Sequence, residues 1–277
     1  MNALIRVADV CQFLESLAPL HLAASWDNVG LLVGRPDRQV RKILTCLTIS
    51  DVVIQEAIEA QVDLIVSHHP LPFRPTQTIT PNDFTGKRLL DLLEAGIAVY
   101  SPHTAWDSAE QGINQTLAEL LQLENVQPLI VEPGHRLGPP GSGRWGTLSR
   151  PSTVRDLADT LLDALRIDTC QVAGDPQRSV ERVAVACGAG EDFLTLAAAA
   201  GCQLLVTGEC RFHTAMEAEF LAVVILALGH YASERVGVVR LAQLIARQFP
   251  TLNVWASQQE RDVWRWLTRR HEQESTR

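Results

Sequence analysis

The short apolar run Asp63-Leu64-Ile65-Val66-Ser67 ends in two adjacent histidines, His68 and His69, and Pro70 closes it at once. A short apolar stretch bounded by breakers makes a buried strand rather than a helix. In an open α/β sheet, ligands bind outside the carboxyl ends of the strands, which is where both imidazoles fall. Two readings fit this pair taken alone: one histidine in the core and one at the surface, or two metal ligands.

The flanking sequence alternates strands with helices. An apolar stripe predicts a helix over 6–18, ended by Pro19. Ser25 to Gly34 is a loop entering a short strand. Strands are predicted over 43–49 and 97–100, with helices over 51–60 and 85–95, Thr85 as N-cap and Gly96 just past the end. The loop Ser101 to Asp107 leads into a helix that continues to about Leu121. The glycine- and proline-rich stretch Gly134–Gly146 interrupts the pattern, and a boundary is placed there, between 1–130 and 131–277. The second part repeats the alternation: strands over 144–148, 182–186, 203–206 and 221–226, and helices over 154–165, 191–200 and, following Gly229–Glu234, to about Phe249. This predicts an α/β class with largely parallel pairing.

Composition narrows the function. The chain has 277 residues and 46% apolar residues, enough for a large core. Its net charge of −8 argues against a nucleic-acid or anionic-membrane surface. The longest apolar run, Phe220 to Leu228, is far short of the roughly 20 residues of a membrane span, and no signal peptide is evident. Six scattered cysteines form no C-x-x-C pair, so a thiolate zinc site has no support. A reduced, cytoplasmic setting is expected.

An internal echo organises the pattern. Shifted by 140 residues, the strand at Ile43 falls on Val183, and Asp63–Ser67 falls on Gln203–Thr207. His69 lands on Glu209. Next, strand, His103, three residues, Asp107, helix is matched by strand, His230, three residues, Glu234, helix. Duplication of an α/β half and convergent α/β regularity both produce such an echo.

Six candidate ligands lie at or just past predicted strand ends: His68, His69, His103, Asp107, His230 and Glu234. Residues four apart become neighbours once the first helical turn forms, so each H-x-x-x-D/E unit aims an imidazole and a carboxylate together. Histidine and carboxylate without cysteine suit Zn, Mn, Fe or Co. Six groups exceed one tetrahedral ion and suit two divalent ions roughly 3.5–4 Å apart. His21, His135 and His271 are assigned no chemistry, and His213 is a weaker cleft-lining candidate. Trp26-Asp27-Asn28 is either a capped turn or a rim offering an aromatic face. Gly141-Ser142-Gly143-Arg144 is either a linker or a phosphate loop. The segment Gln258–Arg277, with Trp264 and Trp266, is predicted as a terminal helix with a frayed tail.

Five motifs in order also carry a resemblance. They are Ser25–Leu31, Ser67–Leu71, His103–Asp107, Gly143–Gly146 and Gly229–Glu234. Together they resemble the NIF-three-like family, whose members are usually labelled GTP cyclohydrolase I type 2 homologues. The resemblance runs from about residue 5 to residue 255. It implies two similar three-layer α/β domains, a dinuclear metal site in the cleft between them, and a homo-oligomer forming a hexameric ring. It further implies His68, His69, Asp107, His230 and Glu234 as metal ligands. His103 is implied as a residue beside the site that either supports the ligands or transfers protons.

The functional expectation is a metal-dependent hydrolase of the GTP cyclohydrolase kind, in which activated water opens a purine ring at C8. A non-catalytic metal-binding regulatory or interaction protein is the alternative. Two-metal phosphoester hydrolysis is a third reading of the same ligands.

Overall fold

The histidine pair stands at the end of a central strand. The structure, a computed structural model, describes residues 4–131, 140–265 and 267. In chain order the elements begin α1 (Val7–Leu17), β1 (Gly30–Val33), β2 (Lys42–Cys46), α2 (Asp51–Glu59), β3 (Leu64–Ser67) and α3 (Phe84–Ala95). They continue β4 (Ala98–Ser101), α4 (His103–Ser108), α5 (Ile113–Leu120), β5 (Glu124–Gln127), β6 (Ile130–Val131), β7 (Gly141–Ser142) and β8 (Arg144–Thr153). The remainder is α6 (Val154–Leu165), β9 (Gln171–Ala173), β10 (Ser179–Ala186), α7 (Leu194–Ala199), β11 (Leu204–Thr207), α8 (Phe212–Phe220), β12 (Val224–Ala227), α9 (His230–Gln248) and β13 (Asn253–Ala256).

Two sheets dominate. One has the order β1-β4-β3-β2-β13 and the other β5-β8-β10-β11-β12-β9, with β6 and β7 forming a separate ribbon. The predicted α/β class holds, and the central strands pair in parallel. Alternation along these strands gives each sheet two apolar faces. Ile43, Leu64, Val66 and Tyr100 pack with α1 residues Val7, Val10 and Leu14 and with Leu241 and Ile245 of α9. Leu44, Ile65 and Val99 pack on the opposite face with Val53 and Ile54 of α2 and Leu89 and Leu92 of α3. The second sheet is built alike: Val183, Val185, Leu204 and Val206 meet α6, while Ala184, Ala186 and Leu205 meet Leu194, Ala197 and Ala218. Each fully buried Leu or Ile contributes about 1.5–3 kcal/mol.

The internal echo is present in three dimensions. β2 pairs with β3 in the register Ile43↔Leu64 through Cys46↔Ser67. β10 pairs with β11 in the register Val183↔Leu204 through Ala186↔Thr207, so both members of every pair are displaced by the 140 residues read from the sequence. Strands also cross the position of the expected boundary in both directions. β5, from before residue 131, joins the second sheet, and β13 joins the first.

Four local expectations are corrected. Asp83, not Thr85, caps α3, its carboxylate accepting from the Gly86 amide at 2.6 Å. The helix after His103 is two helices, because the Ser108 and Ala109 carbonyls turn toward Arg144 instead of continuing the helical ladder. The strand expected over 221–226 is β12, preceded by the unpredicted α8 and a left-handed Ala222. Residues 258–265 form no helix; Trp264 is exposed, and Trp266 with most of the tail lies outside the described residues. His135 and His271 also lie outside them.

Candidate metal centre

Backbone pairing carries β3 past its last residue. The His68 amide donates to the Cys46 carbonyl at 2.9 Å and the His69 amide to that of Leu47 at 2.8 Å. Both imidazoles are therefore held at the strand end, ahead of Pro70. His103 opens α4 directly after β4, and Asp107 follows one turn later, anchored by the fully buried Trp106 between them. Trp106 donates from Nε1 to the Gly237 carbonyl of α9 at 3.3 Å. A Cβ at Gly237 would lie 2.3 Å from Ile113, so only glycine lets α9 approach α5 this closely. That approach brings His230 and Glu234, on the first turn of α9, against the histidine pair.

All six predicted residues converge. Glu234 Oε2 lies 3.0 Å from His69 Nε2 and 3.1 Å from His230 Nε2. The two histidine Nε2 atoms are 3.3 Å apart. His68 Nε2 lies 3.6 Å from Asp107 Oδ1 and 3.8 Å from Glu234 Oε1. The His103 ring centroid is 5.1 Å from that of His68 and 5.5 Å from that of His69. Two groups could each hold a metal ion, His68–His69–His103 and His69–His230–Glu234, and they share His69.

The outer nitrogens are tethered. His69 Nδ1 pairs with Thr48 Oγ1 at 2.7 Å, His103 Nδ1 with Asp27 Oδ1 at 2.7 Å, and His230 Nδ1 with Glu209 Oε1 at 3.0 Å. An Nδ1 facing a carboxylate carries the proton, which leaves an Nε2 lone pair for the interior. His68 differs: it is 2% exposed, and neither ring nitrogen has a hydrogen-bond partner. A buried imidazole without partners, set between two carboxylates just beyond hydrogen-bonding distance, has the environment of a ligand rather than of a core residue.

Charge supports the same fit. Burial would raise the Glu234 carboxyl, but the imidazoles of His68, His230 and His69 outweigh it and hold it well below the usual range. The hydrogen bond to Glu234 lifts His230 to about 9, against the cost of its burial. Burial opposes a charge on His68, yet Asp107 and Glu234 raise it overall. Burial holds His69 down. Without cations, the proton on His230 supplies positive charge beside Glu234.

Of the neighbours, Cys187 and Gly188 were not singled out by sequence, and Asp27 only as part of a turn. Asp27 accepts from His103, Thr104 Oγ1 and the Thr104 amide. Burial would raise it, but hydrogen bonds from His103 and Thr104 lower it to about 2. Its signal was the Trp26-Asp27-Asn28 turn, which proves to be a rim: Trp26 and Phe73 contact the His103 ring edge-on. The Cys187 thiol donates to Asp107 at 3.2 Å. Gly188 has φ +59, and a Cβ there would lie 2.1 Å from Glu234 Oε1. Gly141–Arg144 is not a phosphate loop. Arg144 is fully buried and donates inward to the carbonyls of Gly141, Gly143, Ser108 and Ala109. His21 and His213 are exposed and belong to neither ligand group.

Fold and cluster define an α/β protein whose buried His/carboxylate centre could hold divalent metal ions. Comparison with known proteins then places it. The chain matches the family described as Duf34/NIF3 (NGG1p interacting factor 3) over residues 5–263, and it belongs to that family. It is 34% identical to a "GTP cyclohydrolase 1 type 2 homolog" of Streptomyces coelicolor over 94% of this chain and 93% of the relative. It is 31% identical to "NIF3-like protein 1" of Drosophila melanogaster over 83% of this chain and 78% of the relative. A crystal structure of Staphylococcus aureus protein SA1388 shares the fold, with a TM-score of 0.86 and 24% identity over 96% of this chain and all of that one. Among the described residues, no helix is long and apolar enough to cross a membrane.

Proposed function

We propose that this chain is a metal-dependent hydrolase with two divalent ions held between its two sheets, each sheet with its helices acting as one of two similar domains. The buried, unpartnered His68 between Asp107 and Glu234 is the observation that carries this reading. His68, His69, Asp107, His230 and Glu234 are the proposed ligands. The group His69–His230–Glu234, with His68 and Asp107 3.6 Å apart beside it, supports a count of two, and the donor set admits Zn, Fe, Mn or Co. Such ions would activate water and polarise a carbon or phosphorus centre.

The chain's own residues supply the rest. Asp27 orients His103 and keeps the proton on Nδ1, so that Nε2 can take a proton at the reacting centre. Trp26 and Phe73 screen that imidazole from water. Thr48 and Glu209 hold His69 and His230 in ligating orientation. The names of relatives direct the substrate proposal to GTP, whose ring would open with release of formate. A homohexameric ring belongs to the same reading. Phe212, Met216 and Phe220 form an exposed apolar row on α8 that self-association would cover.

Protein purified without added metal should contain two transition-metal ions per chain and release formate from GTP. His103→Ala should keep the metal and lose the release. Metal retention with no turnover on GTP or phosphoesters would overturn the hydrolase and leave a metal-binding interaction protein. Phosphate release without formate would replace ring opening by phosphoester hydrolysis.

A further inference from the structure

The segment after β13 is tied down by two carboxylates. Glu56 accepts from Trp255 Nε1, Ser257 Oγ and the Gln258 and Gln259 amides. Glu260, 5% exposed, accepts from the Leu47 amide at 2.9 Å and the Thr48 amide at 2.7 Å. From α9, Arg235 donates to the Ser257 carbonyl at 2.7 Å and Tyr231 to the Glu260 carbonyl at 3.3 Å. These anchors adjoin His69 through Thr48, and they adjoin His230 and Glu234 through the first turn of α9. The segment is a fixed strap, and its next residues border a cavity of about 530 Å³.

That cavity opens onto His230 and Glu209, on the second-sheet side of the centre. Its volume lies within the roughly 300–1,000 Å³ of small-molecule sites. Leu228 and Ile167 supply apolar lining, and Trp264 of the strap borders it with an indole that is 74% exposed. Arg166 and Arg265 line it as well, and neither guanidinium has a side-chain partner among the described residues. Arg166 is left-handed at φ +57, at the end of α6, where glycine is the usual residue. Asp168 offers an acceptor, while one oxygen of Asp262 already binds the Trp264 amide at 2.9 Å. A large aromatic face, two guanidinium forks and a carboxylate acceptor match a planar heterocycle that carries N–H donors and phosphate.

The geometry points to this strap-walled cavity as the subsite for a purine nucleotide, with Trp264 stacking on the base, Asp168 accepting from its N–H groups, and Arg166 and Arg265 binding its phosphates. This rests on the hydrolase reading for its substrate class, but binding is separable from turnover. The test is calorimetric titration of the full chain, stripped of metal, with GTP and separately with inorganic triphosphate. GTP should bind at least tenfold more tightly than triphosphate. Trp264→Ala should weaken GTP about tenfold and leave triphosphate unchanged, since stacking contributes about 1–3 kcal/mol per base. Trp264→Phe should retain most of the affinity, and Arg166→Ala and Arg265→Ala should weaken both ligands. These side chains are outside the ligand cluster, so every variant should reload with the wild-type metal content. Absence of GTP binding, GTP binding no tighter than triphosphate, or a Trp264→Ala variant with wild-type affinity would overturn the subsite. Trp264-dependent GTP binding without formate release would remove the hydrolase and keep the subsite. Formate release with an unchanged KM in Trp264→Ala would do the reverse.

Discussion

Arg144→Met isolates one buried cation that holds the candidate centre in shape. The guanidinium donates to four backbone carbonyls, with distances of 2.7 Å to Gly143 and Ala109 and 3.2 Å to Ser108, and from Nε to Gln115 at 3.3 Å. Among the described residues it faces no carboxylate within ion-pair distance, and its burial lowers its pKa to about 10. A carbonyl left buried without a donor costs about 1–3 kcal/mol. Losing the cation also removes its desolvation cost, so the low end applies; the Ala109 carbonyl keeps the Gly112 amide at 3.1 Å, and the other three carbonyls at about 1 kcal/mol give a loss of about 3 kcal/mol. That is a large share of the roughly 5–15 kcal/mol that stabilises a typical fold. For a chain of this size, Tm should fall by about 10 °C.

Urea unfolding of the metal-free chain at pH 7 measures this loss directly. Arg144→Lys should recover less than half of it, because one ammonium cannot span carbonyls on both β7–β8 and the end of α4. Because Ser108 follows Asp107, metal affinity should also fall, by about 10- to 100-fold. A Met variant within 1 kcal/mol of wild type would refute the reasoning, as would full rescue by Lys.

Three further substitutions probe the site and its supports. His68→Ala should abolish metal retention in plasma emission analysis while the fold persists by circular dichroism; full metal occupancy would exclude His68 as a ligand. Gly188→Ala should displace Glu234 and lower both metal content and Tm, since its Cβ would overlap Oε1 and its φ is left-handed; wild-type values for both would disprove the close approach. Burial opposes ionisation of Glu56, but hydrogen bonds from Ser257, Gln258, Trp255 and Gln259 outweigh it and lower its pKa below the ordinary 4.5. Its charged form therefore stabilises the fold above that pH and loses this contribution as pH falls below it. Glu56→Gln should be less stable than wild type at pH 7, with the gap closing toward pH 3; a constant gap would show that the charge contributes nothing.

Much of this protein is legible locally. Strand period, helix stripes and breakers placed β2, β3, β10, β11 and α6 within a few residues, because buried strands and amphipathic helices write their burial into neighbouring residues. Ligand types were equally local: two histidines at one strand end and two H-x-x-x-D/E turns need no tertiary information to be noticed. Short edge strands such as β9 and β13 escaped, since their pairing partners, not their own sequences, make them strands.

Tertiary structure decided what surrounds the double histidine. From Leu64 to Pro70 the sequence admits a core histidine as readily as a ligand. The surroundings follow from α9, which crosses α5 at Gly237 and sets Glu234 between His69 and His230, 165 and 4 residues away in the chain. The same packing turned Arg144 inward, closed the Asp27–His103 pair across 76 residues, and laid the strap beside the centre. Local sequence determines which side chains a strand end presents. Which charges face them across the interior is set by long-range packing, and there the cost of leaving a carboxylate buried without a positive partner selects the arrangement.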